Sequence, residues 1–438
     1  MPRGCSGDDE TDMMGIGGLL ALRRLRKNIR LPEDKLNALQ LEKLQALLRY
    51  AHENVPYYRR LFDSAGVTPR DIQCADDLAC IPVTTRRQIQ RMPLEDILAK
   101  GIARGSCKRI TTSGSSGIPL AVFMRRKDSE RHDLVWARTS LENGKRLRDV
   151  TSYFKFHAPR RAWYESLGVW RRHIIPLLED NPEKAERLKR TTPDILRGNP
   201  FELVNLAIYV REHDIAGIRP GMIFCMGSLL DRASRELLRS TFHADVFDFY
   251  GSTEFGCIAW ECSRHQGYHV NMDTVVLEIV REGRPARPGE VGSIICTGLD
   301  SLAMPFIRYD TGDMGVMEGE KCACGRTLPL LRSIEGRADD FLVSSEGRTI
   351  SPSRIVNQVK LIRGIGQFRI IQQTRERLLV QLVPDKHASE ETGRSLRETL
   401  ARIMGPAVRI DLQTRPAIPP DPAGKIRSLV CLVERGEA

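Results

Sequence analysis

From Pro32 onward, apolar residues recur at three- and four-residue spacing. Leu36, Leu39, Leu44, Leu47, Leu48 and Ala51 would line one face of a helix. Proline suits a first helical turn, where its missing N–H has no partner to lose, so the helix is expected to open at Pro32. The pattern breaks at Pro56 and restarts as a helix across 54–62. Residues 63–100 read as short helices and turns without catalytic chemistry. Between 128 and 240, helix-like and strand-like pieces alternate. Residues 223–230 read as a buried strand ending in a turn, a helix follows from about Asp231, and 244–249 is rich in strand formers. That rhythm predicts an α/β domain with parallel strands. Ligands bind such sheets beyond the carboxyl ends of the strands, where Gly227 and Gly251 would fall.

Further strands are predicted at 275–280 and 293–297, joined through a turn at 287–292. After 334–341 the texture changes. Residues 368–373 and 378–383 flank a polar turn and read as a hairpin, and 389–404 reads as a helix. Three parts are expected: a flexible segment over 1–30, a large α/β domain with mixed sheets over 31–338, and a small mobile α+β domain over 339–438. No internal repeat is present.

The 438 residues, 41% hydrophobic and 28% charged, are enough for two or three domains with a large core. No apolar run reaches 18 residues, so no membrane span is expected. Acidic residues precede the apolar 15–22 stretch and basic ones follow it, the reverse of a secretory signal, which makes the expected compartment the cytoplasm. The net charge of +11 suits anionic substrates such as nucleotides. Lys and Arg are scattered and no nucleic-acid fold signature is present, so nucleic acid is not an expected partner. Eleven cysteines, an odd number, argue against a disulfide framework.

Four stretches carry candidate chemistry. Tyr250-Gly251-Ser252-Thr253-Glu254 sets small residues beside an aromatic ring, which lets a ligand approach the backbone. Its Glu254 is an oxygen donor suited to Mg²⁺, although the pentapeptide reads equally as a strand-to-turn corner. Thr111-Thr112-Ser113-Gly114-Ser115-Ser116-Gly117 offers N–H groups and hydroxyls to phosphate oxygens, or forms a surface turn. It is no Walker A loop, since no Lys-Ser/Thr follows Gly117. Asp313, just after Gly312, could accept two hydrogen bonds from a ribose diol or stand in a surface turn. Finally, Cys262, His269, Cys322 and Cys324 supply the thiolate and imidazole donors of a closed, structural zinc site, with His265 as the alternative imidazole. Unrelated thiols in a reducing compartment would look similar.

Together and in this order, these segments resemble the adenylate-forming superfamily of acyl-CoA synthetases, luciferases and peptide-synthetase adenylation domains. The likeness is greatest to the phenylacetate–CoA ligase family and its capsule-biosynthesis relatives. It runs from about residue 35 to the end and includes Gly336-Arg337-Ala338-Asp339-Asp340 and Gly424-Lys425. The resemblance implies an ATP-dependent, AMP-forming acid–thiol ligase. Ser113, Ser115 and Ser116, set around Gly114 and before Gly117, would hold the β- and γ-phosphates. Tyr250 would stack on adenine, with Gly227 and Ser228 along the same pocket and Gly251 and Ser252 beside it. Thr253 would contact the α-phosphate and Glu254 would hold Mg²⁺. Asp313, helped by Arg337, would bind the ribose. Asp339 would be the hinge, and Lys425 would bridge the carboxylate and α-phosphate. The partners implied are ATP, a carboxylic acid, aromatic by family prior, and CoA as acceptor. An amine or a carrier-protein thiol is the alternative acceptor, and a homodimer is left open. Ile118, Leu229 and Asp310 depart from the common pattern of the motifs they border.

Overall fold

The computed structural model describes residues 15–111, 120–156, 161–419 and 427–433. Its centre is a mixed sheet of twelve strands. Arg172–Pro176, Thr151–Lys155, Ile195–Gly198, Met222–Met226 and Asp245–Ser252 run parallel and side by side in that order. From Asp245–Ser252 onward the pairing turns antiparallel, through Gly256–Glu261, Tyr268–Val270, Leu330–Arg337, Tyr309–Met317, Gly292–Gly298, Val275–Arg281 and the edge strand Arg284–Pro285. The strand that ends in Tyr250-Gly251-Ser252 is thus the seam between the two halves. Alternation of side chains along the parallel strands separates two cores. Leu196, Ile223 and Val246 pack under the helices Asn181–Thr191, Pro200–Glu212 and Arg232–Phe242. Phe224, Phe247 and Phe249 face the other way, under the helix Arg126–Glu142.

The predicted helix is present as Glu33–Asn54, with Pro32 as its N-cap. Residues 15–30 correct an expectation. They belong to the stretch expected to be flexible, yet Ile16–Asn28 is a helix, and Leu25 and Ile29 are fully buried. Leu22, Leu25 and Ile29 form a short apolar stripe that the adjacent glycines and arginines obscure in the sequence. The polar side is also engaged: Arg26 and Arg30 both pair with Glu142, as does Arg326. Burial favours the neutral acid, but the three guanidiniums win and hold Glu142 down at about 2.

This helix is locked to the rest by a buried ion pair. Arg138 and Asp273 are both fully buried, 2.7 Å apart. Arg138 also donates to Asn271 Oδ1 (2.7 Å) and to the Leu25 carbonyl (3.1 Å). Asn28 donates to Asp273 (3.0 Å), while Trp260 Nε1 donates to Asn271 (3.0 Å) and Asn271 to the Cys257 carbonyl (2.9 Å).

Described residues between 342 and 431 gather around a separate apolar cluster that includes Leu342, Ile355, Ile370, Val380, Leu396 and Leu400. Their four-stranded sheet carries the expected hairpin as Ile365–Thr374 and Arg377–Pro384, and the expected helix as Glu390–Met404. Contact with the large sheet's side is polar: Lys360 pairs with Asp231 (2.6 Å), and Asn357 accepts from the Arg232 N–H (3.2 Å). Among the described residues, no helix is long and apolar enough to cross a membrane.

Removing one member of a buried ion pair strands the other charge. Arg138→Met is expected to destabilise the protein by about 3–5 kcal/mol, read as a shifted urea denaturation midpoint. A wild-type midpoint in that variant would show that the network does not hold the fold.

Candidate active site

The seam strand runs through Ser252 and turns back at 253–255 into Gly256–Glu261. Gly256 closes this tight hairpin with a positive φ of 68°. Both flanking glycines are required by close approach. A Cβ on Gly251 would collide with the Gly256 carbonyl, and one on Gly256 would lie 2.9 Å from the His132 ring. Glu254 is no solvated corner residue: it is 5% exposed. Tyr309 donates to it (3.3 Å), and Arg86 lies 3.9 Å away.

Next to it, Asp313 and Arg337 are cross-strand partners in register, which brings Arg337 within 3.7 Å of the Asp313 carboxylate. Tyr250 donates its hydroxyl to the other oxygen of Asp313 (2.9 Å). Gly312, at φ 75°, leaves the room that Arg337 occupies: a Cβ there would sit 2.7 Å from the guanidinium. Burial raises Asp313 above the ordinary carboxylate range, while Arg337 and the Tyr250 hydroxyl oppose the rise. Burial and the Asp313 charge raise Tyr250 well above its usual value, so it remains a donor. Ser252 Oγ is buried with no hydrogen-bond partner among the described residues. Gly227 and Ser228 follow the neighbouring strand Met222–Met226, and Ser228 donates to Asn199 (2.9 Å).

The predicted residues Gly227, Ser228, Tyr250, Gly251, Ser252, Thr253, Glu254, Asp313 and Arg337 therefore gather near the carboxyl ends of the seam strand and its neighbour. Asp339 lies exposed in the short turn Ala338–Asp340, and its neighbour Asp340 pairs with Arg427. Ser113, Gly114, Ser115, Ser116, Gly117 and Lys425 lie outside the described residues.

The stretch 63–100 also reaches this site. That stretch supplies Arg86, which faces Glu254. Arg308 holds it there: its guanidinium pairs with Glu278 (2.9 Å) and donates to the Ala79 (3.1 Å) and Ile81 carbonyls. Thr84 then pairs with the Tyr309 strand, and Thr85 with Gln88 caps the helix Arg86–Arg91. The Thr85-x-x-Gln88 capping box was a legible signal for the start of that helix. Nothing in the sequence signalled what Arg86 would face.

Behind the hairpin, Cys262, His269, Cys322 and Cys324 converge, all donor atoms within 4.8 Å of one another. His265, the alternative imidazole, is not in this group. It faces Glu261 (3.6 Å) and the Phe247 ring instead. The donor set matches a tetrahedral metal. At about 2.3 Å from zinc, thiolate sulfurs stand roughly 3.8 Å apart, and Cys262 and Cys322 are 3.7 Å apart. Cys324 lies 3.3 Å from His269 Nε2. Burial and then Arg326 depress His269 to about 4, so its ring is neutral and able to ligate. Burial raises Cys324, but Arg326 outweighs this and favours the thiolate.

The chain has measurable relatives. Residues 342–431 match the family model described as CapK C-terminal domain. Phenylacetate-coenzyme A ligase of Escherichia coli is 30% identical over 74% of this chain and 76% of its own length. The ligase of the same name from Thermus thermophilus is 29% identical over 74% and 75%. Among solved structures, 2-hydroxyisobutyryl-CoA ligase in the postadenylation state with 2-HIB-AMP superposes with a TM-score of 0.78. It is 21% identical, and the match covers 93% of this chain and 91% of that one.

The seam strand also carries a titration that can be measured. Burial, then the Glu261 charge, raise Asp248 to about 7. Because this folded value lies above the unfolded one, its stabilising effect is complete below about pH 4 and is lost as pH rises to 7, about 4 kcal/mol in all. Asp248→Asn should lack that component and gain in melting temperature relative to wild type as pH is raised from 5 to 8. A difference independent of pH over that range would refute the assignment.

Proposed function

The chain belongs to the phenylacetate–coenzyme A ligase family, and from that premise we propose that it activates a carboxylic acid with ATP, releases pyrophosphate and passes the acyl group from the adenylate to the thiol of CoA. The observation that carries this reading is the Tyr250–Asp313–Arg337 group beside Glu254 at the carboxyl ends of the parallel strands. An ionised carboxylate held by a guanidinium can accept both protons of a ribose diol, which is the role for Asp313. Tyr250, its hydroxyl anchored on Asp313, offers its ring to the adenine, with Gly227 and Ser228 along the pocket. Thr253 and the free Ser252 hydroxyl face the phosphates, and the loop of Ser113, Ser115 and Ser116 would enclose them.

The oxygen donors of Thr253 and Glu254 fit Mg²⁺, which when bound supplies positive charge against the polyphosphate. A carboxylate approaching an α-phosphate brings two anions together. Lys425 would stabilise the charge that accumulates as the bond to pyrophosphate breaks. Asp339 would be the hinge on which the 342–431 unit turns, withdrawing Lys425 and admitting CoA. The acid would lie against Trp136 and Phe249, whose rings are 5.9 Å apart. Zinc would be held by Cys262, His269, Cys322 and Cys324 with no position left for water, so its role is to brace the hairpin from behind.

Two measurements test these assignments. Lys425→Ala should reduce acid-dependent ATP–pyrophosphate exchange by about 100-fold or more, in the range of a lost electrostatic stabiliser, with ATP binding retained. Full exchange would remove Lys425 from the chemistry. Elemental analysis should find about one zinc per chain, given the one four-donor cluster among the described residues, and none in the Cys322→Ser/Cys324→Ser double variant. A metal-free native preparation would refute the zinc site.

A further inference from the structure

The sheet face that carries the aromatic residues extends past the nucleotide site to a group of cations. Tyr153 and Arg197 are cross-strand partners, and the register continues through Phe224 to Phe247. All four side chains therefore point toward the helix Arg126–Glu142. From that helix Trp136 packs on Phe249 and comes within 3.2 Å of where a Cβ on Gly251 would be. One continuous wall thus joins the adenylation site to Arg197. The Arg197 guanidinium carbon lies 4.9 Å from the Trp136 ring centre and 5.3 Å from that of Tyr153. Lys145 stands 5.4 Å over Trp170, and Lys155 stands 5.7 Å over Tyr153.

These cations lack the counter-charges found elsewhere in the fold. Arg138 has Asp273, Arg235 has Glu261 and Arg308 has Glu278. Among the described residues no carboxylate forms an ion pair with Arg197 or Lys145. The nearby acids are engaged elsewhere: Glu165 pairs with Arg172 (2.5 Å), and Asp149 accepts from the Arg146 N–H (2.7 Å). The imbalance shows in the phenol between them. Burial alone would raise Tyr153, but Lys145 and then Arg197 outweigh it and bring it below its ordinary value. Burial, opposed by Tyr153, lowers Lys145. Half-buried cations without an anion are costly, and an incoming carboxylate relieves that cost. Arg197 is already oriented by two rings, so little freedom remains to be lost when its planar fork takes both oxygens of a carboxylate.

We propose that Arg197, with Tyr153 and Lys145 beside it, receives a second carboxylate, so that the acid this chain activates is a dicarboxylic acid. One carboxylate reaches the reacting phosphate past Gly251, the carbon skeleton lies against Trp136 and Phe249, and the far carboxylate is bound by Arg197. The inference rests on the ligase reading above and narrows its substrate class.

The test is ATP–pyrophosphate exchange on the full chain with matched acids: benzoate against isophthalate and terephthalate, phenylacetate against the carboxyphenylacetates, and hexanoate against adipate. At least one dicarboxylate should exceed its monocarboxylate partner by about 10-fold or more in kcat/KM, the size of a charge-assisted bond. Arg197→Met should lower that ratio by about 30-fold, mainly through KM, and Arg197→Lys should restore part of it. Monocarboxylates that match or surpass every dicarboxylate in the wild-type protein would overturn this inference and leave the ligase reading intact. Exchange with no acid of either series, in protein that still binds ATP, would overturn the ligase reading and this inference with it.

Discussion

The buried Arg138–Asp273 pair is the interaction on which the other placements depend. A fully buried guanidinium is tolerated only when its donors meet acceptors. Arg138 meets it through its two terminal nitrogens, its Nε having no partner among the described residues, by drawing acceptors from three places: the carbonyl of Leu25, the side chain of Asn271 and the carboxylate of Asp273. Asn271 in turn binds Trp260 and the backbone of Cys257. The N-terminal helix, the helix over the sheet and the strand after the 253–255 turn are thereby fixed as one body. The position of Trp136 follows from it, two residues earlier on the same helix. Burial of Asp273 opposes its ionisation, but Arg138 and Asn28 hold it below its ordinary value.

The second constraint is topological. Asp245–Ser252 is parallel to one neighbour and antiparallel to the other. Open sheets leave a crevice where the strand direction or order changes, and here the crevice is lined from both halves. The antiparallel half contributes Asp313 and Arg337 as a directly opposed pair. The parallel half contributes Gly227 and Ser228. Polar groups of different origin converge because the seam strand contacts both.

Motif residues were legible where chemistry and local geometry coincide. Tyr250, Glu254, Asp313 and Arg337 sit next to glycines or in turns whose backbone needs are visible in the sequence. The four zinc-type donors were legible by residue type, although only their convergence distinguishes His269 from His265. Arg86 and Arg197 were not legible. Each is one arginine among many in a basic chain, and its meaning comes from what faces it: a buried glutamate for Arg86, and for Arg197 two rings with no paired carboxylate among the described residues.

The sequence by itself determined the alternation of helix and strand, the α/β class, the family resemblance and the residue types able to handle a nucleotide and a metal. These follow from periodicity and local chemistry, which act over a few residues. The tertiary structure decided that residues 16–28 are a packed helix, which imidazole joins the thiols, and which cations are left without an anion. Those outcomes depend on contacts between elements that are separated along the chain. Burial and charge compensation are properties of the assembled neighbourhood, and no local pattern encodes them.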